Sequence, residues 1–279
     1  MMPSGKARIA GIIGWPIAHS RSPRLHGHWL QRYGIDGAYV PMAVRPEHAE
    51  RAIAALPMLG FAGVNVTVPH KQTALAVADL VDPVARRIGA VNTLVVQPDG
   101  RLHGRNTDAH GFLANLQQGA PDWRAKAGPA VVLGAGGAAR AVAAALVDAG
   151  VPALRVVNRS LDRAEALAAD IGGPIHVIPW ADRATALGDV ALLVNTTTLG
   201  MSGQPALDLG LDGLPPRAVV NDIVYAPLET ALLAQARRHG NPVVDGIGML
   251  LHQARPGFAA WFGVDPVVDD ELRRVVLDG

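Results

Sequence analysis

Short aliphatic and β-branched runs alternate with alanine-rich stretches of helical period along nearly the whole chain. Arg8–Gly14 (RIAGIIG) reads as a strand, and a helix follows from Pro23 to about Tyr33, where Gly34 ends it. GAYVPMAV predicts a second strand and PEHAERAIAALPML a second helix. FAGVNVTV predicts a third strand, stopped by Pro69, with a helix after it. The run AVNTLVVQPDGRLHGRNT differs: two strands meet at Pro98-Asp99-Gly100, a hairpin signal. AHGFLANLQQG predicts a helix, followed by a polar connection from Gly119 to Gly128, and a domain boundary is expected along that helix.

From Ala130 the alternation restarts. Strand AVVLGAG leads to helix AARAVAAALVDAG, strand ALRVVNRS and helix LDRAEALAADIG. Further strands are expected at DVALLVNTT, AVVNDIVY and NPVVDG, and the tail GMLLHQARPGFAAWFG is an apolar helix. Such alternation predicts an α/β fold with parallel sheets and right-handed crossovers. A length of 279 residues fits two domains.

Composition narrows the function classes. Hydrophobic residues make up 49% and charged residues 18%, as in an ordered globular protein. A net charge of +1, with no run of five like charges, argues against a nucleic-acid partner. The absence of cysteine excludes disulfides, thiolate metal sites and cysteine nucleophiles. Ten scattered histidines form no H-E-x-x-H, so no metal is expected. Ile9–Ile13 is too short for a signal-peptide core, and Ala141–Val147 is too short for a bilayer span of roughly 20 residues. These features suit a cytoplasmic protein, with no membrane partner, acting on a small molecule.

VVLGAGGAARA carries the strongest local signal. Gly134, Gly136 and Ala139 match G-x-G-x-x-A between a strand and a helix. The first glycine permits the tight turn, and the second lets backbone approach a pyrophosphate at the helix N-terminus. The next strand ends in Asn158, Arg159 and Ser160, with Arg163 a turn further on. A carboxylate there would accept from the ribose 2′-hydroxyl of NAD, whereas guanidiniums suit the 2′-phosphate of NADP. Arg163 could instead pair with Asp162 or Glu165 on a solvated helix face.

The first half offers polar groups at successive strand ends. Asn65 and Thr67 share one strand face. Lys71 falls near a helix N-terminus, an electropositive place for a cation, and is a surface residue or an acid–base group. Asn92 and Asp108 follow, and Asp108 alone could be a helix cap. Ser20 and Ser22 stand two apart before a helix: Ser22 caps it with Pro23 in the first turn, or both hydroxyls face a ligand. Ligands of open α/β sheets lie beyond the carboxyl ends of the strands, and this array suits a polyhydroxylated substrate.

Taken jointly, GWPIAHSRSPRLH, GVNVTVPHK, GAVNTL, GRNTDAHGF, VLGAGGAARA, NRSLDRAEALA, NTTTLGM, NDIVYAPLET and DGIGMLLHQA resemble the shikimate dehydrogenase family from about Ile9 to about Phe262. The resemblance implies NADP-dependent reduction of 3-dehydroshikimate to shikimate, a step of aromatic amino acid biosynthesis. It also implies two α/β domains with a cleft between them, the second a Rossmann-like doubly wound parallel sheet. A discontinuous substrate domain of residues 1–108 plus 247–279 and a cofactor domain of 109–246 are expected. By resemblance Lys71 and Asp108 are the catalytic pair, and both also contact substrate. Ser20 and Ser22, with Tyr225 nearby, take the substrate carboxylate, while Asn65, Thr67, Asn92 and Gln253 hold the ring hydroxyls. Gly134, Ala135, Gly136, Gly137 and Ala138 form the phosphate loop. Asn158, Arg159, Ser160 and Arg163 clamp the 2′-phosphate, and Ile223 and Gly246 lie beside the nicotinamide. Gly27 stands where the family usually has Asn, and Ile223 where it often has Met. A quinate/shikimate dehydrogenase of broader use, or an idle NADPH-binding module, are the alternatives, and the assembly is expected to be a monomer or homodimer.

Overall fold

A computed structural model describes residues 2–278. The chain divides into two compact units, Met1–Thr107 with Leu251–Gly279, and Asp108–Leu250. In the first unit the chain runs β1 (Arg8–Gly14), α1 (Ser22–Arg32), β2 (Gly37–Ala43), α2 (Ala49–Ala54), β3 (Phe61–Val66), α3 (Lys71–Val77), β4 (Leu80–Val81), α4 (Pro83–Ile88), β5 (Thr93–Val96) and β6 (Leu102–Arg105). These strands form one six-stranded sheet in the order β2-β1-β3-β5-β6-β4. The sheet is mixed: β1, β2 and β3 pair in parallel, while β3–β5 is antiparallel and β5–β6 is the antiparallel hairpin expected from sequence. The cause is local. Pro98-Asp99-Gly100 closes the β5–β6 hairpin, and a two-strand return needs no crossover helix.

The sheet is covered on both faces. Ile13, Val64, Val66 and Leu94 from the strands pack with Ile53, Ala74 and Ala85 from α2, α3 and α4 and with Leu56 just past α2. A second cluster is aromatic: His26 and Trp29 of α1 meet Tyr39 of β2 and the chain's returning segment, Phe258 and Trp261. Trp261 Nε1 donates to Leu94 O at 3.0 Å, so the returning helix is tied to the sheet by a buried hydrogen bond.

The second unit runs α5 (Asp108–Gly119), β7 (Ala130–Leu133), α6 (Gly137–Ala149), β8 (Leu154–Asn158), α7 (Leu161–Ile171), β9 (Ile175–Pro179), β10 (Leu192–Asn195), β11 (Val219–Asp222), α8 (Ala231–His239) and β12 (Val243–Val244). Every strand pair in its sheet is parallel, in the order β12-β11-β10-β7-β8-β9. Counted from β7, that is the 3-2-1-4-5-6 arrangement of a Rossmann sheet, with its switch point between β7 and β10. Buried strand residues Val131, Leu133, Val157, Leu193 and Val220 face α8 through Leu232, Leu233 and Ala236. The opposite helix α6 presents Ala141, Ala143, Ala144 and Ala145, small enough for close approach to its neighbours.

Helix α9 (Ile247–Phe262) and the terminal α10 (Asp270–Leu277) complete the chain. Strands β4 and β9 and helices α4 and α10 are additions to the elements expected from sequence. Two-residue β4 is too short to show a period, and β9 ends on a proline. Helix α10 rests on an Asp269 N-cap, whose Oδ1 accepts from Leu272 N at 3.0 Å.

Candidate active site

In the first unit, polar side chains gather at the ends of β3 and β5. Asn65 and Thr93 are direct partners across the antiparallel β3–β5 pair, so their side chains share one face. Asn65 Nδ2 donates to Thr93 Oγ1 at 3.1 Å and to Asn92 O at 3.3 Å, and Tyr39 donates its hydroxyl to Asn65 Oδ1 at 2.7 Å. Asn92 Oδ1 accepts from Thr107 N at 2.9 Å and from Thr93 Oγ1 at 3.0 Å. Gln253 of α9 joins this group, with Oε1 3.4 Å from both Asn92 Nδ2 and Thr107 Oγ1. Sequence reasoning placed Asn65, Asn92 and Gln253 here. It missed Tyr39, Thr93 and Thr107, which read as ordinary strand and loop residues until the strand register is known.

Thr67 is half-buried just past β3, and its carbonyl accepts from His70 N at 2.9 Å. That turn starts α3, whose first residue is Lys71, half-buried, with its carbonyl accepting from Val91 N at 3.0 Å. The chain therefore aims Lys71 from a helix N-terminus locked to the segment leading to Asn92. Ser20 and Ser22 flank Arg21 at the start of α1. The expected Ser22 side-chain cap is corrected: the helix begins at Ser22 itself, Arg21 is the N-cap, and no side chain caps it. Instead Ser20 Oγ accepts from Ser22 N at 3.3 Å, while Ser22 is buried beside the Tyr39 hydroxyl.

The second unit carries the glycine loop. Gly134 has φ +108°, and a Cβ there would lie 2.8 Å from Thr196 Oγ1, so both conformation and the switch-point crossing at β10 demand glycine. Around Gly136 and Gly137 nothing lies within 4 Å of a Cβ position, leaving open space over the N-terminus of α6, as a phosphate group needs. Ala135 and Ala138 complete this turn and are half-buried. Asn158 ends β8 and donates from Nδ2 to Ser160 O at 2.8 Å, closing the turn into α7. Arg159 and Arg163 are exposed, and among the described residues neither has a carboxylate partner, so Arg163 is not engaged by Asp162 or Glu165. Two unpaired guanidiniums beside this loop fit an added phosphate on the ribose.

At the end of β11 stands a buried carboxyl that sequence reasoning missed. Asp222 accepts from Asn195 Nδ2 at 3.0 Å, Val224 N at 3.1 Å and Thr230 Oγ1 at 2.7 Å. Burial pushes its pKa up from 3.8 to about 6, against the opposing hydrogen bonds. It fastens both ends of the loop that carries Ile223 and Tyr225, each half-buried. Gly246 packs backbone against this loop, since a Cβ there would lie 2.2 Å from Ile223 O. Asp108, the buried first residue of α5, also belongs to this unit. Among the described residues no cluster of three or more His, Cys, Asp or Glu could hold a metal, and no helix is long and apolar enough to cross a membrane.

Comparisons agree with both halves. Residues 12–94 match the shikimate dehydrogenase substrate binding domain, and residues 117–200 match the shikimate / quinate 5-dehydrogenase family. The shikimate dehydrogenase (NADP(+)) of Paramagnetospirillum magneticum is 66% identical over 98% of this chain and 99% of its own. Among solved structures, shikimate 5-dehydrogenase from Thermus thermophilus in complex with NADP(H) and shikimate is 39% identical, covers 97% of this chain and 99% of its own, and superposes with a TM-score of 0.85. Quinate dehydrogenase from Corynebacterium glutamicum in complex with NAD is 32% identical, with coverages of 98% and 99% and a TM-score of 0.91.

Proposed function

We infer the reaction from one premise: the chain belongs to the shikimate dehydrogenase family. It is an NADP-dependent oxidoreductase that interconverts 3-dehydroshikimate and shikimate. The observation that carries the substrate reading is the amide and hydroxyl array in the first unit. Thr67, Asn92 and Gln253, with Asn65 behind them, offer hydrogen-bond groups from three separate chain segments, as a polyhydroxylated ring requires. Ser20 and Ser22, with Tyr225, are assigned to the substrate carboxylate.

When bound, the reduced nicotinamide supplies a hydride. The chain's own residues do the rest. Gly134 to Ala138 would hold the pyrophosphate on backbone N–H groups, and Asn158, Arg159, Ser160 and Arg163 the 2′-phosphate. Ile223 and Gly246 would lie beside the nicotinamide. Lys71 as an ammonium can stabilise developing alkoxide charge at the substrate C3 oxygen and deliver a proton there. Asp108 is assigned with it to acid–base work. The substrate domain in this reading is residues 1–108 plus 247–279, the cofactor domain 109–246. The enzyme is cytoplasmic, works as a monomer or homodimer, and takes no nucleic-acid partner, in keeping with its near-neutral charge.

The test is spectrophotometric: shikimate and quinate, each with NADP and with NAD, followed through formation of the reduced nicotinamide. Shikimate with NADP is expected to be the preferred pair. Preference for quinate with NAD would place the chain on the quinate branch, and no turnover with any pair would leave an idle cofactor-binding module.

A further inference from the structure

The polar array of the first unit contains more partners than a substrate needs, and hydrogen-bond direction shows what the extra ones do. Asn92 O and Thr107 N fix the pattern, because a carbonyl only accepts and a backbone N–H only donates. Asn65 must turn its Nδ2 toward Asn92 O, at 3.3 Å, and its second N–H reaches Thr93 Oγ1 at 3.1 Å. Its Oδ1 then faces Tyr39, whose hydroxyl donates at 2.7 Å. All three of these bonds are internal, and Asn65 is only 4% exposed. Thr93, having accepted from Asn65, has Asn92 Oδ1 at 3.0 Å to take its own hydrogen, nearer than the alternative partner Thr107 Oγ1 at 3.3 Å. Donation thus runs one way, from Tyr39 through Asn65 and Thr93 to Asn92.

The origin of this chain is held firmly. His26 stacks on the Tyr39 ring with centroids 4.0 Å apart and planes 10° from parallel, and Trp261 packs at 6.1 Å. His26 is fully buried, and burial lowers its pKa to about 3, so it is a neutral platform across the working pH range. Ser22 lies beside the Tyr39 oxygen at the other side. Tyr39 therefore stands between the segment assigned to the substrate carboxylate and the segment assigned to the ring hydroxyls.

We propose that Tyr39 is a positioning residue for substrate binding, acting through Asn65 and Thr93 to orient Asn92, and that Asn65 serves as a link in that chain rather than as a substrate ligand. The inference rests on the reading of this unit as the shikimate-binding half. Tyr39→Phe keeps the ring and its stack on His26 but removes the donor. Its KM for shikimate should rise roughly two- to tenfold, the worth of one hydrogen bond, with kcat nearly unchanged and the Kd for NADP, measured by direct titration, unaltered. Thr93→Val cuts the same chain at a later link with a side chain of the same shape, and should raise KM alike. The double variant should be no worse than the poorer single one, because the two act in series.

Asn92→Ala gives the reference for the endpoint. Among substrate analogues each lacking one hydroxyl, the one indifferent to Asn92→Ala should also be indifferent to Tyr39→Phe. A Tyr39→Phe enzyme with wild-type KM would overturn the proposal, as would additive effects of the two link variants. Parallel loss of melting temperature, NADP affinity and KM would overturn it in favour of a general structural role. Absence of shikimate turnover in the unaltered protein would instead defeat the functional reading on which it stands.

Discussion

At the scale of single residues, charge without a partner is the most informative feature. Arg159 is exposed and has no carboxylate partner among the described residues, in a chain whose other exposed arginines often meet one, as Arg101 meets Asp99 and Arg237 meets Glu229. Arg159→Ala should weaken NADP binding about ten- to a hundredfold, the range for a charge-assisted hydrogen bond, and leave NAD binding nearly unchanged. Titration of both cofactors against the variant checks this, and equal losses would make Arg159 a structural residue. Asp222 is the reverse case, a carboxyl buried without a cation and with its pKa raised from 3.8 to about 6. A raised folded pKa means that its contribution to stability is complete below about pH 4 and is lost as pH rises through 6. At neutral pH the ionised group therefore costs on the order of 3 kcal/mol relative to its protonated form. Asp222→Asn cannot ionise, so its melting temperature relative to wild type should improve between pH 4.5 and pH 7. A difference between the two proteins that stays constant over that interval would show that Asp222 does not titrate there.

At the scale of elements, stability and site geometry share the same residues. Thr230 caps α8, accepting from Leu233 N at 3.3 Å, and also donates to Asp222 at 2.7 Å. Thr230→Ala should cost roughly 1–2 kcal/mol in denaturant unfolding, with Thr230→Ser recovering most of it, as for other N-caps. A loss from Ala that Ser fails to restore would mean that the Thr methyl packing, and not the cap, matters. The elements themselves were legible to different degrees. Strands β7, β8 and β10 are short apolar runs beside glycine or polar punctuation, so they showed plainly, and so did the hairpin at Pro98-Asp99-Gly100. Helix α4 and strand β4 fall inside a stretch too short for any period to emerge. In the site, Asn65, Asn92 and Lys71 stood out because polar residues at strand ends are chemically conspicuous. Tyr39, Thr93 and Thr107 did not, because aromatic and β-branched residues are what a strand ordinarily carries. The contact of Thr93 with Asn65 arises from the pairing of β5 with β3, a register set by tertiary folding and not by spacing along the chain.

At the scale of the molecule, the proposed function puts substrate recognition in one unit and cofactor binding in the other. The first unit holds Ser20, Thr67, Lys71, Asn92 and Gln253, the last of these supplied by a segment that returns after the whole second unit. The second holds the glycine loop, the arginines and the Asp222-fastened loop. Variants should therefore separate into kinetic classes according to the role of the residue. Lys71→Ala should cut kcat by about 10²–10⁴, the usual contribution of a general acid–base group, while KM for shikimate stays within a modest factor. The reason is that its charge and proton are needed mainly as the alkoxide develops, and an interaction made in the transition state appears in kcat. Ser22→Ala should chiefly raise KM, because a carboxylate remote from the reacting carbon is bound alike in ground and transition states. Asp108→Asn should resemble Lys71→Ala, and the double variant should be little worse than either single one if the two work as a unit. Steady-state kinetics on these four proteins decides the matter. A Lys71→Ala enzyme with near-normal kcat and raised KM would make Lys71 a binding residue, and the proton would have to come from another group.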